Sequence, residues 1–508
     1  MHDEPMRDGD GDPLLLVTSM YSEGDLARRL GRDAYSYRYV YRAFAPLLQR
    51  WGQHREASGP RGVLEHAVAE ARRRQCQPIH LSFLPLHLMD VAPNVANVAV
   101  PAWEFPDIPA FDLENDPRQN WARRAEQVDL IITHTQFSRA AFVRAGVRTP
   151  VHVVPVPAPA DYFQTPDWQP GQRAILGCPC YVFPQPAALP RPPRPWVNCE
   201  TGHLPARPSL RQLYKKCVKA MPQRFGKAMY RSARAVRAAL WSARQVFKEA
   251  DIRELYPPRS NLELSGVVYT TILNPFDSRK NWQDLLSGYL LALKDRDDAT
   301  LVVKLVVSSD WEAAALAEMF AFYRNTGLSH RCKLAFVTAY LSEEQLVELT
   351  RASTYYVNTS RAEGSCLPLQ NFMAAGRPAL APPHTGMADS IDDQCGFTLE
   401  SHPEPAPWPQ EVGGGYRTTW HRLVWQSLHD RLRASYEAAK DQRGHYQTLA
   451  ERARERMRGL AGAESVWPRL AAALDSVRSL KFSRDPKGSA DNPALPFGSR
   501  LNVSKRAI

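Results

Sequence analysis

Long apolar runs are missing from this sequence. No stretch approaches the ~20 consecutive apolar residues that a membrane-spanning helix needs. The first residues, MHDEPMRDGDGDP, are polar and acid-rich, whereas a signal peptide has a basic start followed by an apolar run. We therefore expect a cytoplasmic protein.

Closely spaced cysteines are also scarce. Of the eight cysteines in 508 residues, only Cys178 and Cys180 lie near each other, and no paired CxxC spacing indicates zinc. We expect ordinary reduced thiols.

Acidic residues are absent between Arg207 and Lys248, although this segment holds twelve lysines and arginines. Removing these twelve charges from the net +11 leaves the rest of the chain near −1, so the basic balance is local. Apolar residues recur in the segment at spacings of three and four, which predicts amphipathic helices divided near Pro222 and Gly226. Eight prolines between 184 and 208 predict a semi-rigid stretch before them.

What the sequence does contain is short apolar runs that alternate with amphipathic helical patterns, in two successive sets. This alternation is typical of parallel sheets covered on both faces. Beyond residue 400 we expect loops at PEPAPWP and GGG, followed by a helical tail from about 420 to 479. The predicted division is a disordered N-terminus (1–12), a Rossmann-like domain (13–165), a Pro-rich and basic helical insertion (166–262), a second Rossmann-like domain (263–420), C-terminal helices (421–480) and a disordered tail (481–508).

The sixteen residues EGSCLPLQNFMAAGRP (363–378) follow the predicted strand TYYVNTS. Pro368 suits the first turn of a helix and Gly376 suits its end, so we predict a helix from about 367 to 375. The N-terminus of a helix attracts phosphate, because its N–H groups have no partners within the helix. Glu363 lies just before this helix, and Asn371 lies one turn inside it, able to bond hydroxyls.

These residues resemble the E-x7-E motif of retaining glycosyltransferases of the GT-B fold, family 4 (glycosyl transferases group 1). NPFDSRKNWQDLLSGYLLAL is similar to the start of that family's donor domain, and HTGMADSIDDQCGF is similar to its later loop. ITHTQFSRAAFVRAGV resembles the end of its acceptor domain. The resemblance is weak over about 13–165 and strong over 265–400.

The resemblance implies two Rossmann-like domains facing a cleft, and sugar transfer from a nucleotide-sugar donor without a catalytic metal or cofactor. It implies that Glu363 contacts the transferred sugar and that Lys280 and Arg279 meet the diphosphate. The acceptor would be a glycan or lipid-linked glycan in surface polysaccharide biosynthesis, and the activity of the hexosyltransferase type. The other residues that it assigns to the site are Gly364, Ser365, Cys366, Leu367 and Asn371 on the donor side, and Gly24, Trp103 and Glu104 on the acceptor or donor-sugar side.

The sequence departs from the family at three places. Asn371 replaces the motif's second glutamate, and Pro275 stands where an arginine is usual. The family's acceptor-domain histidine is not identifiable, and its nearest counterpart is Trp103–Glu104 in PAWEFPDIP.

Other interpretations therefore stay open: a non-catalytic GT-B scaffold, an epimerase or phosphorylase of the same fold, or a Glu363 that only complements the helix dipole. Only the basic segment favours a nucleic-acid partner, and it contains no recognisable nucleic-acid-binding motif. We therefore expect no nucleic-acid partner. The same segment suits an anionic membrane surface, which would place the chain peripherally at the inner face of the cytoplasmic membrane.

Overall fold

The computed structural model describes residues 12–32, 34–59, 62–183, 257–407, 417–478 and 480. The predicted helices of the basic segment 207–248 and the predicted disordered tail 481–508 lie outside these residues, as does nearly all of the N-terminus 1–12. Within the described ranges, every helix is too short or too polar to span a lipid bilayer.

The first sheet has six parallel strands. Its four inner strands are almost entirely buried, whereas its two edge strands are partly or largely exposed. Its spatial order is β2-β1-β3-β4-β5-β6. The strands are β1 (Pro13–Ser19), β2 (Gln53–Glu56), β3 (Gln77–Phe83), β4 (Ala96–Ala99), β5 (Leu130–Thr133) and β6 (Val151–Val153). The helices of this domain are α1 (Leu26–Arg29), α2 (Ser36–Trp51), α3 (Val63–Arg73), α4 (Trp121–Ala125), α5 (Gln136–Arg144) and α6 (Ala160–Phe163).

The second sheet has seven strands in the order β15-β14-β13-β10-β11-β12-β8. A short two-stranded sheet, β7 with β9, lies beside it. The strands are β7 (Arg173–Leu176), β8 (Cys180–Phe183), β9 (Leu262–Ser265), β10 (Val267–Leu273), β11 (Ala299–Leu305), β12 (Lys333–Val337), β13 (Tyr355–Val357), β14 (Ala379–Ala381) and β15 (Gly396–Thr398). The helices are α7 (Trp282–Ala292), α8 (Glu312–Thr326), α9 (Glu343–Ala352) and α10 (Leu367–Ala374). A capping box formed by Ser342 and Gln345 opens α9.

Strand β8 lies in the segment that the sequence assigns to the insertion. It pairs antiparallel with β12, and Phe183 packs against Phe336 and Tyr323. An antiparallel edge strand on an otherwise parallel sheet is common in such domains. The second sheet thus takes a strand from the chain before residue 184.

The loop predicted at PEPAPWP is wrong for residues 403–407, and the loop predicted at GGG lies outside the described residues. Strand β16 (Ser401–Pro407) pairs antiparallel with β17 (Arg417–Leu423), and the chain becomes helical only at Trp425. Pro403, Pro405 and Pro407 alternate along β16, so their missing N–H groups all fall on one edge of the strand. A strand can hold prolines when that edge carries no partner.

Three helices end the described chain: α11 (Trp425–Asp441), α12 (Arg443–Ala461) and α13 (Ala463–Arg478). The first two pack on the second domain, whereas α13 crosses back and buries Val466, Leu470 and Leu474 against the first domain's core. Two Rossmann-like domains that face each other, with a returning C-terminal helix, form the GT-B arrangement, so the predicted fold class is confirmed.

Candidate functional site

The two domains meet at the carboxyl ends of their strands. Thr135, just past β5, donates from Oγ1 to the carbonyl of Gly364 at 3.2 Å. Asn274, just past β10, donates from Nδ2 to the carbonyl of Gly31 at 3.0 Å. In open α/β sheets ligands bind outside these carboxyl ends, so this junction is where a site is expected.

The motif 363–378 has the predicted local structure. Strand β13 leads into the loop, α10 begins at Leu367 with Pro368 in its first turn, and Gly376 follows with φ +67°. The residue before the helix, Cys366, also has a left-handed backbone, with φ +61°. Its thiol is buried, and that burial raises its pKa to about 12, so Cys366 is a neutral packing group here.

Glu363 is the buried acid of this junction, with 6% of its surface exposed. Its Oε1 accepts a hydrogen bond from Nζ of Lys280 at 2.6 Å. Its backbone is held on both sides, because its N–H donates to Oγ1 of Thr385 at 3.0 Å and its carbonyl accepts from N–H of Gly386 at 2.9 Å. Burial alone would raise the pKa of Glu363, but the positive charges of Lys280 and Arg279 outweigh it and hold the pKa below the usual value.

Lys280 ends a single 3-10 turn, Ser278–Lys280, in the loop after β10. Burial disfavours its charged form, and Glu363 outweighs that effect, so the pKa of Lys280 is raised. The lysine therefore carries its positive charge at neutral pH, beside the N-terminus of α10. A lysine and a helix N-terminus are both groups to which anions bind in proteins.

The side chain of Arg279 has more protein partners than that of its neighbour Lys280. Its Nε and Nη2 bind both carboxylate oxygens of Asp277, at 3.1 and 2.7 Å. Its Nη1 lies 3.2 Å from Oε1 of Glu104 in the first domain, and also 3.2 Å from the carbonyl of Ala362, to which it donates. Every nitrogen of the guanidinium thus has a protein partner, and Arg279 bridges the two domains.

Trp103 and Glu104 reach the site from the first domain. Trp103 is buried, and its carbonyl accepts from Oγ of Ser138 at 2.7 Å. A Cβ placed on Gly364 would lie 3.2 Å from the oxygen of that same carbonyl, so the close approach of the two loops favours glycine there. Burial raises the pKa of Glu104 despite its pairing with Arg279.

The structure therefore joins six of the predicted site residues directly: Trp103, Glu104, Arg279, Lys280, Glu363 and Gly364. Gly24 is not among them, since it is exposed, with no non-neighbouring atom within 4 Å of a Cβ built on it.

The remaining predicted residues lie on or just before α10. Asn371 is half-buried and lies near Tyr162 in the first domain's last helix. Leu367 packs against the first domain's core. Ser365 is buried and its Oγ has no partner in the described part of the chain.

Three residues of the site were missed at the sequence level. Asn358 and Thr385 form hydrogen bonds with Glu363. Tyr35 lies close enough to Lys280 and Glu363 to feel their charges, and burial raises the pKa of Tyr35 to about 12. A signal existed for Asn358, because it directly follows β13 at the ligand-binding edge of the sheet. Tyr35 is contributed by the other domain, and no local pattern marks such a contact.

Among the residues that the structure describes, no group of three or more histidine, cysteine or acidic side chains could hold a metal ion.

The chain matches no family model and no curated protein. Solved structures that it matches include HepE of Anabaena in complex with UDP and glucose, at 14% identity over 92% of this chain and 100% of that one, with a TM-score of 0.47. The sucrose-phosphate synthase of Thermosynechococcus elongatus matches at 12% identity over 92% and 99%, with a TM-score of 0.48. WaaG, a glycosyltransferase involved in lipopolysaccharide biosynthesis, matches at 12% identity over 91% and 98%, with a TM-score of 0.44. All three identities lie below 25% and all three TM-scores below 0.5, so these likenesses do not define what this chain binds or transfers.

Proposed function

We propose that this chain is a retaining glycosyltransferase of the hexosyltransferase type. It would move a sugar from a nucleotide-sugar donor to a glycan or lipid-linked glycan acceptor, in the biosynthesis of a surface polysaccharide such as O-antigen, capsule or lipopolysaccharide. The observation that carries the proposal is the Lys280–Glu363 pair at the N-terminus of α10, in the cleft between the two domains. The resemblance of residues 265–400 to family 4 supports it.

The positive charge of Lys280 suits the phosphate end of the bond that breaks, and the negative charge of Glu363 suits the sugar end. The bond from the sugar carbon to the diphosphate breaks with its electron pair on the leaving phosphate oxygen, so negative charge grows there. Lys280 and the N–H groups of α10 would offset that charge, and fixed electrostatic contacts of this kind usually give the largest share of a rate enhancement. Glu363 would face the sugar, where positive charge develops. The proposal needs no metal ion or other cofactor.

In this proposal Lys280 turns to the phosphate from Glu363, with whose carboxylate its Nζ is paired at 2.6 Å. Donor binding would therefore exchange one anionic partner of Lys280 for another. Because the lysine is a flexible point charge, this exchange needs rotation of one side chain and no movement of the domain.

A melting-temperature panel of UDP-, GDP-, ADP- and dTDP-sugars tests the proposal. A ligand at ~100 times its dissociation constant adds about 2.7 kcal/mol of stability, so one donor should raise the melting temperature by a few degrees. The Lys280→Ala variant should lose most of that rise, because the charge that meets the diphosphate is gone. Transfer to an acceptor is then measured with the donor that the panel selects.

Activity assays with the donor that the panel selects separate the other candidate functions. Isomerisation of the donor alone would indicate an epimerase, and dependence on inorganic phosphate would indicate a phosphorylase. Binding without any turnover would indicate a scaffold. If no nucleotide sugar shifts the melting temperature, the glycosyltransferase proposal is wrong.

The membrane contact proposed for the basic segment 207–248 follows from the sequence alone. Each lysine or arginine near an anionic surface contributes ~1 kcal/mol, so half of the twelve would give reversible attachment. We expect salt-sensitive binding to vesicles that contain anionic lipid, measured by co-sedimentation, and loss of binding when residues 207–248 are deleted. Equal binding to neutral vesicles, or binding that survives the deletion, would contradict this expectation.

A further inference from the structure

Asn358, at the carboxyl end of β13, has an uncharged side chain that bonds both Glu363 and Cys366, the residue before α10. It is 5% exposed. Its Nδ2 lies 3.1 Å from Sγ of Cys366 and 3.4 Å from Oε1 of Glu363. Its Oδ1 accepts from the N–H of Ser360 at 2.7 Å.

The direction of this amide is fixed by its partners. The N–H of Ser360 can only donate, so the oxygen end of Asn358 must face it. The NH2 end must then face the carboxylate of Glu363, which can accept two such bonds. The backbone is also held, because the N–H of Asn358 donates to the carbonyl of Leu380 at 2.8 Å.

Asn358 also acts on Glu363 through Ser360. The hydroxyl of Ser360 helps to lower the pKa of Glu363, and Asn358 fixes the backbone from which that hydroxyl projects. At the other end of the loop, the same side chain bonds the thiol of Cys366, which lies eight residues after Asn358 in the chain. One buried amide therefore ties together both ends of the loop that carries Glu363.

We infer that Asn358 is a positioning residue that holds Glu363 in place when Lys280 turns to the phosphate. The inference rests on the proposed function, because only donor binding would take Lys280 away. At that moment the strongest partner of the carboxylate is lost, and Asn358 and Ser360 remain. Both are neutral, so they keep Glu363 oriented and ionised without competing for the diphosphate.

The first test compares Asn358→Ala with the wild type. We expect kcat to fall by on the order of 10-fold to 100-fold, since a misplaced catalytic group reacts slowly. The KM for the donor should stay within about threefold, because Lys280 and the N-terminus of α10 remain to bind the diphosphate. Asn325→Ala, at an exposed position of α8, is the matched control and should change neither constant.

The second test is the pH profile of Asn358→Asp, which keeps the size of the side chain and an oxygen for Ser360. The new carboxylate lies against Glu363, and a like charge disfavours ionisation. The acid limb of kcat should therefore move to higher pH if the side chain at position 358 lies against the ionised Glu363 during turnover. If Asn358→Ala does not fold, this profile decides alone.

The outcomes separate the inference from the proposed function. If the wild type transfers sugar and Asn358→Ala keeps kcat within about twofold, or the Asn358→Asp acid limb does not move, the positioning role is overturned and the proposed function stands. If the wild type transfers no sugar from any donor, the proposed function is overturned, and the positioning role falls with it.

Discussion

Glu363→Gln is expected to lower turnover by on the order of 10²-fold or more while the protein stays folded. Glutamine has the shape of glutamate and its amide oxygen still accepts a bond from Lys280, so the packing around this nearly buried side chain is kept. What is lost is the negative charge beside the reacting sugar. Glu363→Ala would be a poorer test, because at 6% exposure it also removes packing.

The measurement is kcat with the donor found in the melting-temperature panel. Glu348→Gln, at an exposed position of α9, is the matched control and should be unchanged. Turnover of Glu363→Gln within a few-fold of the wild type would remove Glu363 from the mechanism. Diphosphate binding should survive the substitution, since Lys280 then has no anionic partner to leave.

The dependence of protein stability on pH also reports on the negative charge of Glu363. The folded pKa of Glu363 lies below its ordinary value of 4.5, so the ionised pair stabilises the fold above that value. This contribution is lost as the pH falls through 4.5 and then through the lower folded pKa. In Glu363→Gln that part of the acid destabilisation should be absent.

The local structure around Glu363 could be predicted because its signals are local. Pro368 and Gly376 mark the ends of a helix by their own backbone preferences, and the helix occurs between them. The alternation of strands and helices likewise predicted both sheets. Such preferences act over a few residues and so can be read without knowing the rest of the fold.

Contacts between distant segments could not be predicted in the same way. Asp277 stands two residues from Arg279, but Glu104 is in the other domain, and only the packing of the two domains brings its Oε1 within 3.2 Å of Arg279 Nη1. The strand β16 was missed because prolines usually indicate loops. Here their alternation leaves the edge that pairs with β17 intact, and tertiary packing of Ala406 and Trp420 against Trp103 holds the hairpin in place.

Arg279→Ala is expected to destabilise the protein strongly, whatever its effect on catalysis. The guanidinium lies between Asp277 and Glu104, and its side chain and both of theirs are at most 21% exposed. Removing one partner of a buried ion pair leaves uncompensated charge and costs about 3–5 kcal/mol. The melting temperature should therefore fall by on the order of 10 °C.

Two variants show whether the loss of stability in Arg279→Ala comes from the ion pairs of Arg279 with Asp277 and Glu104. Arg331→Ala removes an arginine that pairs with Asp297 at 2.9 Å on the surface, with side chains 62% and 69% exposed, and should shift stability by less than ~1 kcal/mol. Arg279→Met combined with Asp277→Asn and Glu104→Gln removes the charges on both sides, and should recover most of the lost stability.

The sequence predicted a phosphate role for Arg279, and the same variants decide between that role and the bridge. A phosphate ligand would lose diphosphate affinity in Arg279→Ala with a melting temperature close to that of the wild type. A bridge would lose stability first, and the triple variant would regain stability together with diphosphate affinity, because Lys280 and the N-terminus of α10 are untouched. Since every nitrogen of Arg279 already has a protein partner, we expect the second result.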